Sequence, residues 1–238
     1  MQKIKIFCFP YAGGSAVIFN NWKPFFDSRI EFVPVELAGR GKRINESLYP
    51  NVSDAIDDVF EIIKPVIGSI PYALYGHSMG GMISYELAQR IVQKNLPPPV
   101  HLFISGRGAP HIIREDDKKY HLMSEEIFRK EIIELGGTPP EFFEHPELIE
   151  VFLPMLRNDF RLAETELNNG EINPLNCNIT AFFGEDEDLT SEQCLEWEKH
   201  TKKTFKPYYF KGGHFFIHNE IKQIVGLMNS AILDISYV

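Results

Sequence analysis

Near the end of the first third of the chain stands the stretch Tyr72-Ala73-Leu74-Tyr75-Gly76-His77-Ser78-Met79-Gly80-Gly81. Its first residues form a short apolar run that is typical of a strand buried on both faces. The pattern Gly-x-Ser-x-Gly follows, centred on Ser78, and a helix-length segment begins directly after it. A sharp turn from a strand into a helix is the setting in which this pentapeptide presents a serine nucleophile. The stretch therefore predicts that Ser78 is catalytic rather than a serine of an ordinary turn.

Strand-like and helix-like segments alternate on both sides of this stretch. The predicted strands are short and rich in β-branched or aromatic residues, and they span residues 4–9, 30–35, 72–75, 101–105, 179–183 and 207–210. Helix-length segments cover residues 53–67, 79–94, 190–203 and 217–233. This alternation predicts an α/β fold in which helices flank a mostly parallel sheet.

One segment breaks the alternation. Residues 107–176 contain no convincing strand and consist of helix-like fragments separated by proline and glycine. We therefore expect a core formed by residues 1–106 and 177–238, with residues 107–176 inserted as a helical unit. An insertion at this point would lie over the carboxyl edge of the sheet, where α/β proteins bind ligands.

The composition argues against a nucleic-acid binder, a zinc protein and a membrane-spanning protein. With 24 Lys and Arg against 33 Asp and Glu, the 238-residue chain carries a net charge of −9, which argues against a general nucleic-acid binder. The cysteines Cys8, Cys177 and Cys194 match no zinc-site spacing, and we expect free thiols in a reducing cytoplasm. No run approaches the roughly 20 apolar residues that span a bilayer. We therefore expect a cytoplasmic protein without a membrane segment.

A serine hydroxyl becomes an effective nucleophile only when a base takes its proton. In hydrolases with this type of turn, an acid and then a histidine follow the serine along the chain. His214 follows Gly212-Gly213 in the turn after the last predicted strand, so a loop could carry its imidazole to Ser78. His218 lies on the next helical segment and has less freedom to reach. The pattern predicts His214 as the base.

The acid of such a triad is expected after the strand that ends near residue 183. The loop there carries four carboxylates in a row, Glu185, Asp186, Glu187 and Asp188. The acid must accept a hydrogen bond from the imidazole and stabilise the imidazolium ion, which Asp and Glu can both do. Spacing alone does not choose among the four residues.

The oxyanion of a tetrahedral intermediate needs two backbone N–H donors. One is expected from Met79, the residue after the nucleophile. The other is expected from the glycine-containing loop after the first strand, where Ala12 is the predicted donor. The same loop could be a phosphate loop, but it lacks both Gly-Lys-Ser/Thr and a full Gly-x-Gly-x-x-Gly, which disfavours that interpretation.

Several short motifs occur in order along nearly the whole chain. They are Phe9-Pro10-Tyr11-Ala12-Gly13-Gly14, Glu36-Leu37-Ala38-Gly39-Arg40-Gly41, Gly76-His77-Ser78-Met79-Gly80-Gly81, Leu135-Gly136-Gly137-Thr138-Pro139, Leu153-Pro154-Met155-Leu156-Arg157-Asn158-Asp159-Phe160 and Gly212-Gly213-His214-Phe215-Phe216. With these motifs the chain resembles the type II thioesterases that accompany non-ribosomal peptide and polyketide synthetases. The resemblance implies an α/β-hydrolase fold with a mobile helical lid, in which Ser78 is the nucleophile and His214 the base.

The resemblance also implies an activity. Enzymes of this kind hydrolyse acyl or aminoacyl groups from the phosphopantetheine thiol of carrier proteins, and so clear misprimed or stalled carriers. No metal or soluble cofactor is implied, because the phosphopantetheine arm belongs to the carrier protein. We therefore expect acyl or peptidyl carrier proteins as transient partners, no nucleic-acid or membrane partner, and a monomer.

The resemblance favours one acid without excluding the others. Counting back from Trp197 places Asp186 at the usual acid position, and the residues that follow match better with this choice. The usual Gly-x-x-Asp pattern instead places Glu187 third after Gly184. We therefore expect Asp186 to be the acid, with Glu187 and Asp188 as alternatives.

Six apolar residues of the inserted segment could line an acyl site. They are Met123, Phe128, Phe142, Phe143, Phe152 and Leu156. Apolar stripes on helices usually pack inward, so we expect these residues mainly to form the core of the inserted unit.

Two other functions would use the same motifs. A general carboxylester hydrolase or acyltransferase on small free substrates needs the same triad, because a fold and a triad do not determine the leaving group. A carrier-binding module without catalysis is disfavoured, because both Ser78 and His214 are present.

Overall fold

The structure is a computed structural model that describes residues 3–112, 118–137, 145–165 and 171–234. Six strands form one sheet in the order β2-β1-β3-β4-β5-β6, and every neighbouring pair is parallel. The strands are β1 (Ile4–Phe9), β2 (Ile30–Pro34), β3 (Tyr72–His77), β4 (His101–Ser105), β5 (Asn178–Gly184) and β6 (Phe205–Phe210). The predicted α/β fold with a parallel sheet is confirmed.

Six α-helices accompany the sheet in the described part of the chain. They are α1 (Val52–Ile63), α2 (Met79–Gln93), α3 (Glu125–Leu135), α4 (Pro146–Ala163), α5 (Ser191–Leu195) and α6 (Ile221–Asp234). Buried residues of α1 and α2 belong to one apolar cluster, and those of α6 belong to a second. The sheet is therefore covered on both faces, as a parallel sheet requires.

Three helix boundaries differ from the prediction. The first predicted helix reaches residue 67, but α1 ends at Ile63, two residues before Pro65, which cannot donate a backbone hydrogen bond. The segment 190–203 begins with a capping box of Thr190 and Gln193 but turns into a 3₁₀ helix after α5. At the end of the chain, a 3₁₀ turn (Phe216–His218) precedes α6.

Helices α3 and α4 lie in the segment between β4 and β5. Their buried residues Phe128, Ile132, Ile149, Leu153 and Leu156 form a small apolar cluster separate from the two clusters beside the sheet. The described residues of 107–176 contain only an isolated bridge at residue 175 and no strand. The division into a core and an inserted unit at residues 107 and 176 stays a prediction.

The structure describes four of the six apolar residues that were expected to form the core of the inserted unit. Phe128 and Leu156 belong to its buried cluster, and Met123 and Phe152 pack against that cluster. Phe142 and Phe143 lie outside the described residues. Phe152 and Leu156 also line a cavity, which is described below.

The strand order reverses direction at β1, which lies between β2 and β3. In open α/β sheets, ligands bind outside the carboxyl ends of the strands at such a reversal. The loop after β1 and the turn after β3 meet there. A methyl group added at Gly80 would lie 2.1 Å from the carbonyl oxygen of Phe9. The order of the strands thus brings the β1 loop onto the start of α2.

No helix in the described ranges is both long enough and apolar enough to cross a bilayer.

Candidate active site

Ser78 lies in the turn between β3 and α2. Its backbone angles are φ 54° and ψ −114°, a region that L-residues with a side chain rarely occupy and that stores strain. The backbone N–H of Ser78 donates to the carbonyl oxygen of Ser105 at 2.7 Å, which ties the turn to the end of β4. This is the strained strand-to-helix geometry expected of a nucleophile elbow.

Two glycines allow the chain to turn so sharply at Ser78. A methyl group at Gly76 would lie 1.8 Å from the carbonyl oxygen of Gly80, and one at Gly80 would overlap Phe9. A side chain at either position would therefore collide with backbone atoms rather than with a side chain that could move. The Gly-x-Ser-x-Gly pattern thus has a steric reason in this structure.

His214 is held by Glu187. The imidazole Nδ1 of His214 lies 2.6 Å from Oε1 of Glu187. The other carboxylate oxygen of Glu187 accepts the backbone N–H of Gly184 at 2.8 Å, and only 5% of the Glu187 side chain is exposed. Because Nδ1 donates to Glu187, Nε2 is the ring nitrogen left to act as a base.

This contact places Glu187, one of the two alternatives, against His214 in place of the expected Asp186. Asp186, which the sequence analysis favoured, is exposed and makes no hydrogen bond to His214, and Asp188 is exposed as well. The backbone N–H of Asp186 donates to the carbonyl oxygen of Gly212, and that of Glu187 donates to Gly184. This tight turn brings the third residue after Gly184 toward the histidine. The Gly-x-x-Asp spacing already indicated this residue, because Glu187 stands at the position of its Asp.

His77, the residue before Ser78, packs against His214. Its ring centre lies 4.8 Å from that of His214, and its Nδ1 lies 2.9 Å from the hydroxyl of Ser105. Burial, followed by the nearby His214 and His218, holds the pKa of His77 well below its ordinary value. His77 is therefore neutral at pH 7 and adds no positive charge beside His214.

The predicted oxyanion donors come from adjoining elements. Met79 is the first residue of α2, where backbone N–H groups lack partners within the helix. The backbone N–H of Ala12 has no hydrogen-bond partner among the described residues. Both donors sit where the β1 loop packs on the first turn of α2, which is the arrangement that the sequence analysis predicts for an oxyanion hole.

A cavity of about 290 Å³ opens between the β1 loop and the inserted helices. Its described lining is largely apolar, with the hydroxyl-bearing residues Tyr11 and Ser15, and carries no charged side chain. The lining residues include Ala12 and Phe215 from the core, and Ile132, Leu135, Phe152 and Leu156 from α3 and α4. Because Ala12 is the predicted oxyanion donor and Phe215 follows His214, one wall of the cavity is continuous with the candidate active site.

Residues 4–232 match the family described as Thioesterase domain. The chain belongs to the thioesterase family. This thioesterase is 40% identical over 230 residues to the gramicidin S biosynthesis protein GrsT of Aneurinibacillus migulanus, with 95% of this chain and 88% of GrsT covered. The match spans both the core and the inserted segment, so the enzyme is a hydrolase that acts on thioesters.

Solved structures agree with this assignment. The thioesterase superposes on ClbQ from the colibactin NRPS/PKS pathway with a TM-score of 0.91 and 32% identity, covering 99% of each chain. It superposes on the type II thioesterase BorB from the borrelidin biosynthetic cluster with a TM-score of 0.85 and 30% identity, covering 96% of this chain and 92% of BorB. The α/β-hydrolase fold and the resemblance to type II thioesterases are therefore confirmed.

Proposed function

We propose that this thioesterase is a type II enzyme that removes acyl or aminoacyl groups from the phosphopantetheine thiol of carrier proteins. One observation carries the proposal: His214 of the Glu187–His214 pair packs on His77, the residue before Ser78 in the strained turn, and a largely apolar cavity lies beside Ala12. GrsT is named for gramicidin S biosynthesis, ClbQ for the colibactin NRPS/PKS pathway and BorB for the borrelidin biosynthetic cluster, which supports a role beside a synthetase.

In the first half of the proposed reaction, Ser78 Oγ attacks the thioester carbonyl carbon and His214 takes the hydroxyl proton. The backbone N–H groups of Met79 and Ala12 stabilise the negative oxygen of the tetrahedral intermediate. The carbon–sulfur bond then breaks, and His214 returns the proton to the leaving thiol. The products of this half are a free phosphopantetheine thiol and an ester between the acyl group and Ser78.

In the second half, a water molecule takes the place of the thiol. His214 removes its proton, the resulting hydroxide attacks the ester carbonyl, and the proton passes to Ser78 as the acid leaves. Glu187 keeps Nδ1 protonated and stabilises the imidazolium ion that forms in each half. We propose that this chemistry needs no metal or soluble cofactor, because the three side chains and two N–H groups supply each function.

The apolar cavity is the proposed site of the acyl chain. It begins at Ala12, where the carbonyl oxygen of the substrate would lie, and continues between α3 and α4. Burial of methylene groups stabilises a complex by about 0.8 kcal/mol each. We therefore expect an alkyl acyl group to bind more tightly than acetyl.

Carrier proteins are the proposed partners, and the association is proposed to be transient. The net charge of −9 gives this thioesterase no general attraction to an acidic carrier, which favours a small and weak interface. We also propose that the enzyme acts as a monomer in the cytoplasm, as the family resemblance implies.

The proposal is tested by comparing three acyl donors that carry the same acyl group. These are a phosphopantetheinyl carrier protein, acyl-CoA and a p-nitrophenyl ester, each assayed with the wild-type enzyme and with Ser78→Ala. We expect the largest kcat/KM for the loaded carrier and loss of all three activities in the variant. Brisk ester hydrolysis with no release from any loaded carrier would instead identify a general carboxylester hydrolase.

A further inference from the structure

The β1 loop, residues 10–16, is bound by buried charged side chains at three nearby backbone positions. The backbone N–H of Gly13 donates to Oδ2 of Asp159 at 2.7 Å, and the carbonyl oxygen of Gly14 accepts from Nη1 of Arg40 at 3.1 Å. Farther along the loop, Oε1 of Glu36 accepts the backbone N–H of Ala16 at 2.9 Å. Each of these bonds is charge-assisted and therefore stronger than a hydrogen bond between neutral groups.

Arg40 and Asp159 form the centre of this arrangement. Two parallel hydrogen bonds join them, from Nη1 to Oδ2 at 2.6 Å and from Nη2 to Oδ1 at 2.7 Å. Arg40 is 3% exposed and Asp159 is fully buried. A buried ion pair contributes little net stability, since desolvation of the two charges offsets their attraction. Stability alone therefore does not explain why these two charges are buried at this position.

The contacts of the pair determine the shape of the turn that carries Ala12. The backbone N–H of Gly14 donates to the carbonyl oxygen of Tyr11, and Gly13 has φ +78°, as in a type II turn. The N–H of its central peptide is the one that Asp159 accepts. Because that N–H is directed at Asp159, the peptide plane between Ala12 and Gly13 cannot rotate freely.

We propose that Arg40 and Asp159 are positioning residues for the oxyanion donor Ala12, so that α4 supports catalysis through the β1 loop. The inference rests on the proposed role of Ala12. Leu156 lies one turn before Asp159 on α4, and its Cδ1 would be 2.6 Å from a methyl group at Gly13. Helix α4 therefore holds the loop by packing as well as by hydrogen bonding.

Preorganised donors act on the transition state and not on the bound substrate. If the pair positions Ala12, its loss should reduce kcat while KM for a small ester stays nearly unchanged. Removal of one oxyanion donor typically reduces kcat by about 10²- to 10³-fold. Misplacement of a donor should cost less, and we expect a reduction of roughly 10- to 100-fold.

The test is Asp159→Asn, which keeps the shape of the side chain and removes its charge. Two ligands distinguish a positioning role of the pair from a purely structural role. The first ligand is an alkyl boronic acid, which bonds to Ser78 Oγ and forms a tetrahedral anion with an oxygen in the oxyanion hole, so it mimics the transition state. The second ligand is a thioether with a methylene in place of the carbonyl. It has no oxygen for the oxyanion hole and reports only ground-state binding. We expect affinity for the boronic acid to fall in parallel with kcat, and affinity for the thioether to change less than about twofold.

Asp58→Asn is the matched control. Asp58 forms a bidentate pair with Arg43 through bonds of 2.7 and 2.9 Å, and no hydrogen bond among the described residues joins Asp58 to the β1 loop. This variant should lower thermal stability without lowering kcat. If Asp159→Asn behaves in the same way, or weakens both ligands equally, the pair is structural and the proposal is wrong.

Asp159→Asn leaves Arg40 buried without its counter-ion and could unfold the protein. The double variant Arg40→Met with Asp159→Leu removes both charges and keeps the volume, which often preserves stability. This variant should stay folded and still lose kcat and boronic-acid affinity, because Gly13 and Gly14 lose their partners. A folded double variant with wild-type kcat would overturn the proposal. Activity that survives in Ser78→Ala would instead contradict the proposed function itself.

Discussion

The imidazole of His214 donates from Nδ1 to a buried oxygen of Glu187 over 2.6 Å, although three neighbouring residues also carry carboxylates. The relationship depends on where the turn after β5 places each side chain. Glu187 is directed inward, with its second oxygen bound to the N–H of Gly184, whereas Asp186 is exposed. A histidine in this position has a defined tautomer, so Nε2 can accept a proton from the nucleophile.

The first prediction concerns Glu187→Gln. An amide at this position can place a donor against Nδ1 and favour the wrong tautomer, which reduces kcat in serine hydrolases by about 10⁴-fold. We expect a reduction of roughly 10³- to 10⁴-fold in ester hydrolysis. Asp186→Asn is the matched control and should change kcat less than about twofold. The reverse order of the two effects would assign the acid to Asp186.

The second prediction concerns the dimensions of the acyl cavity. Phe152 lines it from α4, and truncation of this side chain in Phe152→Ala should enlarge it. We expect kcat/KM for long acyl esters to rise relative to acetyl esters, measured as a ratio across a series of chain lengths. Val151→Ala changes the exposed neighbour on the same helix and should leave the ratio unchanged. An unchanged ratio in Phe152→Ala would mean that the acyl chain binds elsewhere.

The third prediction concerns the glycines of the elbow. Gly80→Ala would place a methyl group 2.1 Å from a backbone oxygen, so we expect loss of activity together with a large loss of thermal stability. Gly226 offers a control, because it lies within α6 and a methyl group there would contact no atom within 4 Å. Gly226→Ala should stabilise the protein by roughly 0.5–1 kcal/mol. An active and stable Gly80→Ala variant would contradict the close approach seen in the structure.

The fourth prediction concerns stability in acid. His200 is fully buried, with Nδ1 2.7 Å from the hydroxyl of Tyr85 and Nε2 2.8 Å from Nδ1 of His111. Burial, followed by the charge of His111, lowers the pKa of His200 from 6.5 to about 4. Below pH 6.5 the unfolded chain binds a proton at this residue and the native protein does not. The contribution of His200 to the free energy of unfolding is therefore full above pH 6.5 and is lost as the pH falls from 6.5 to about 4.

Urea unfolding at pH 7 and pH 5 measures this effect. We expect the contribution of His200 to the loss between these pH values to be about 2 kcal/mol. His200→Gln should reduce the loss by about that amount, whereas His145→Gln, a change at an exposed histidine, should not. Equal pH dependence in wild type and His200→Gln would exclude this residue as a source of acid sensitivity.

The sequence predicts the sheet well for a physical reason. Strands buried on both faces are short apolar runs, and β1 and β4 lie at the residues predicted for them. The nucleophile turn is also local, since Gly76, Ser78 and Gly80 lie within five residues. Patterns of this kind depend on near neighbours, so one sequence contains enough information to find them.

The remaining parts of the site depend on distant contacts. The choice between Asp186 and Glu187 depends on backbone hydrogen bonds to the loop after β6, and adjacent carboxylates have no local feature that separates them. Arg40 and Asp159 are 119 residues apart in the chain. Each belongs to a motif quoted from the sequence, but only the folded chain shows that the two side chains meet at the β1 loop.

The measurement that tests the central claim most directly is the intact mass of the enzyme after mixing with a carrier protein loaded with a slowly hydrolysed acyl group. The account predicts a mass increase equal to the acyl group, located on the peptide that contains Ser78, together with release of the free carrier thiol. Ser78→Ala should show neither change. Release of the acyl group without modification of Ser78, or release by the Ser78→Ala variant, would contradict the proposed acyl-enzyme mechanism.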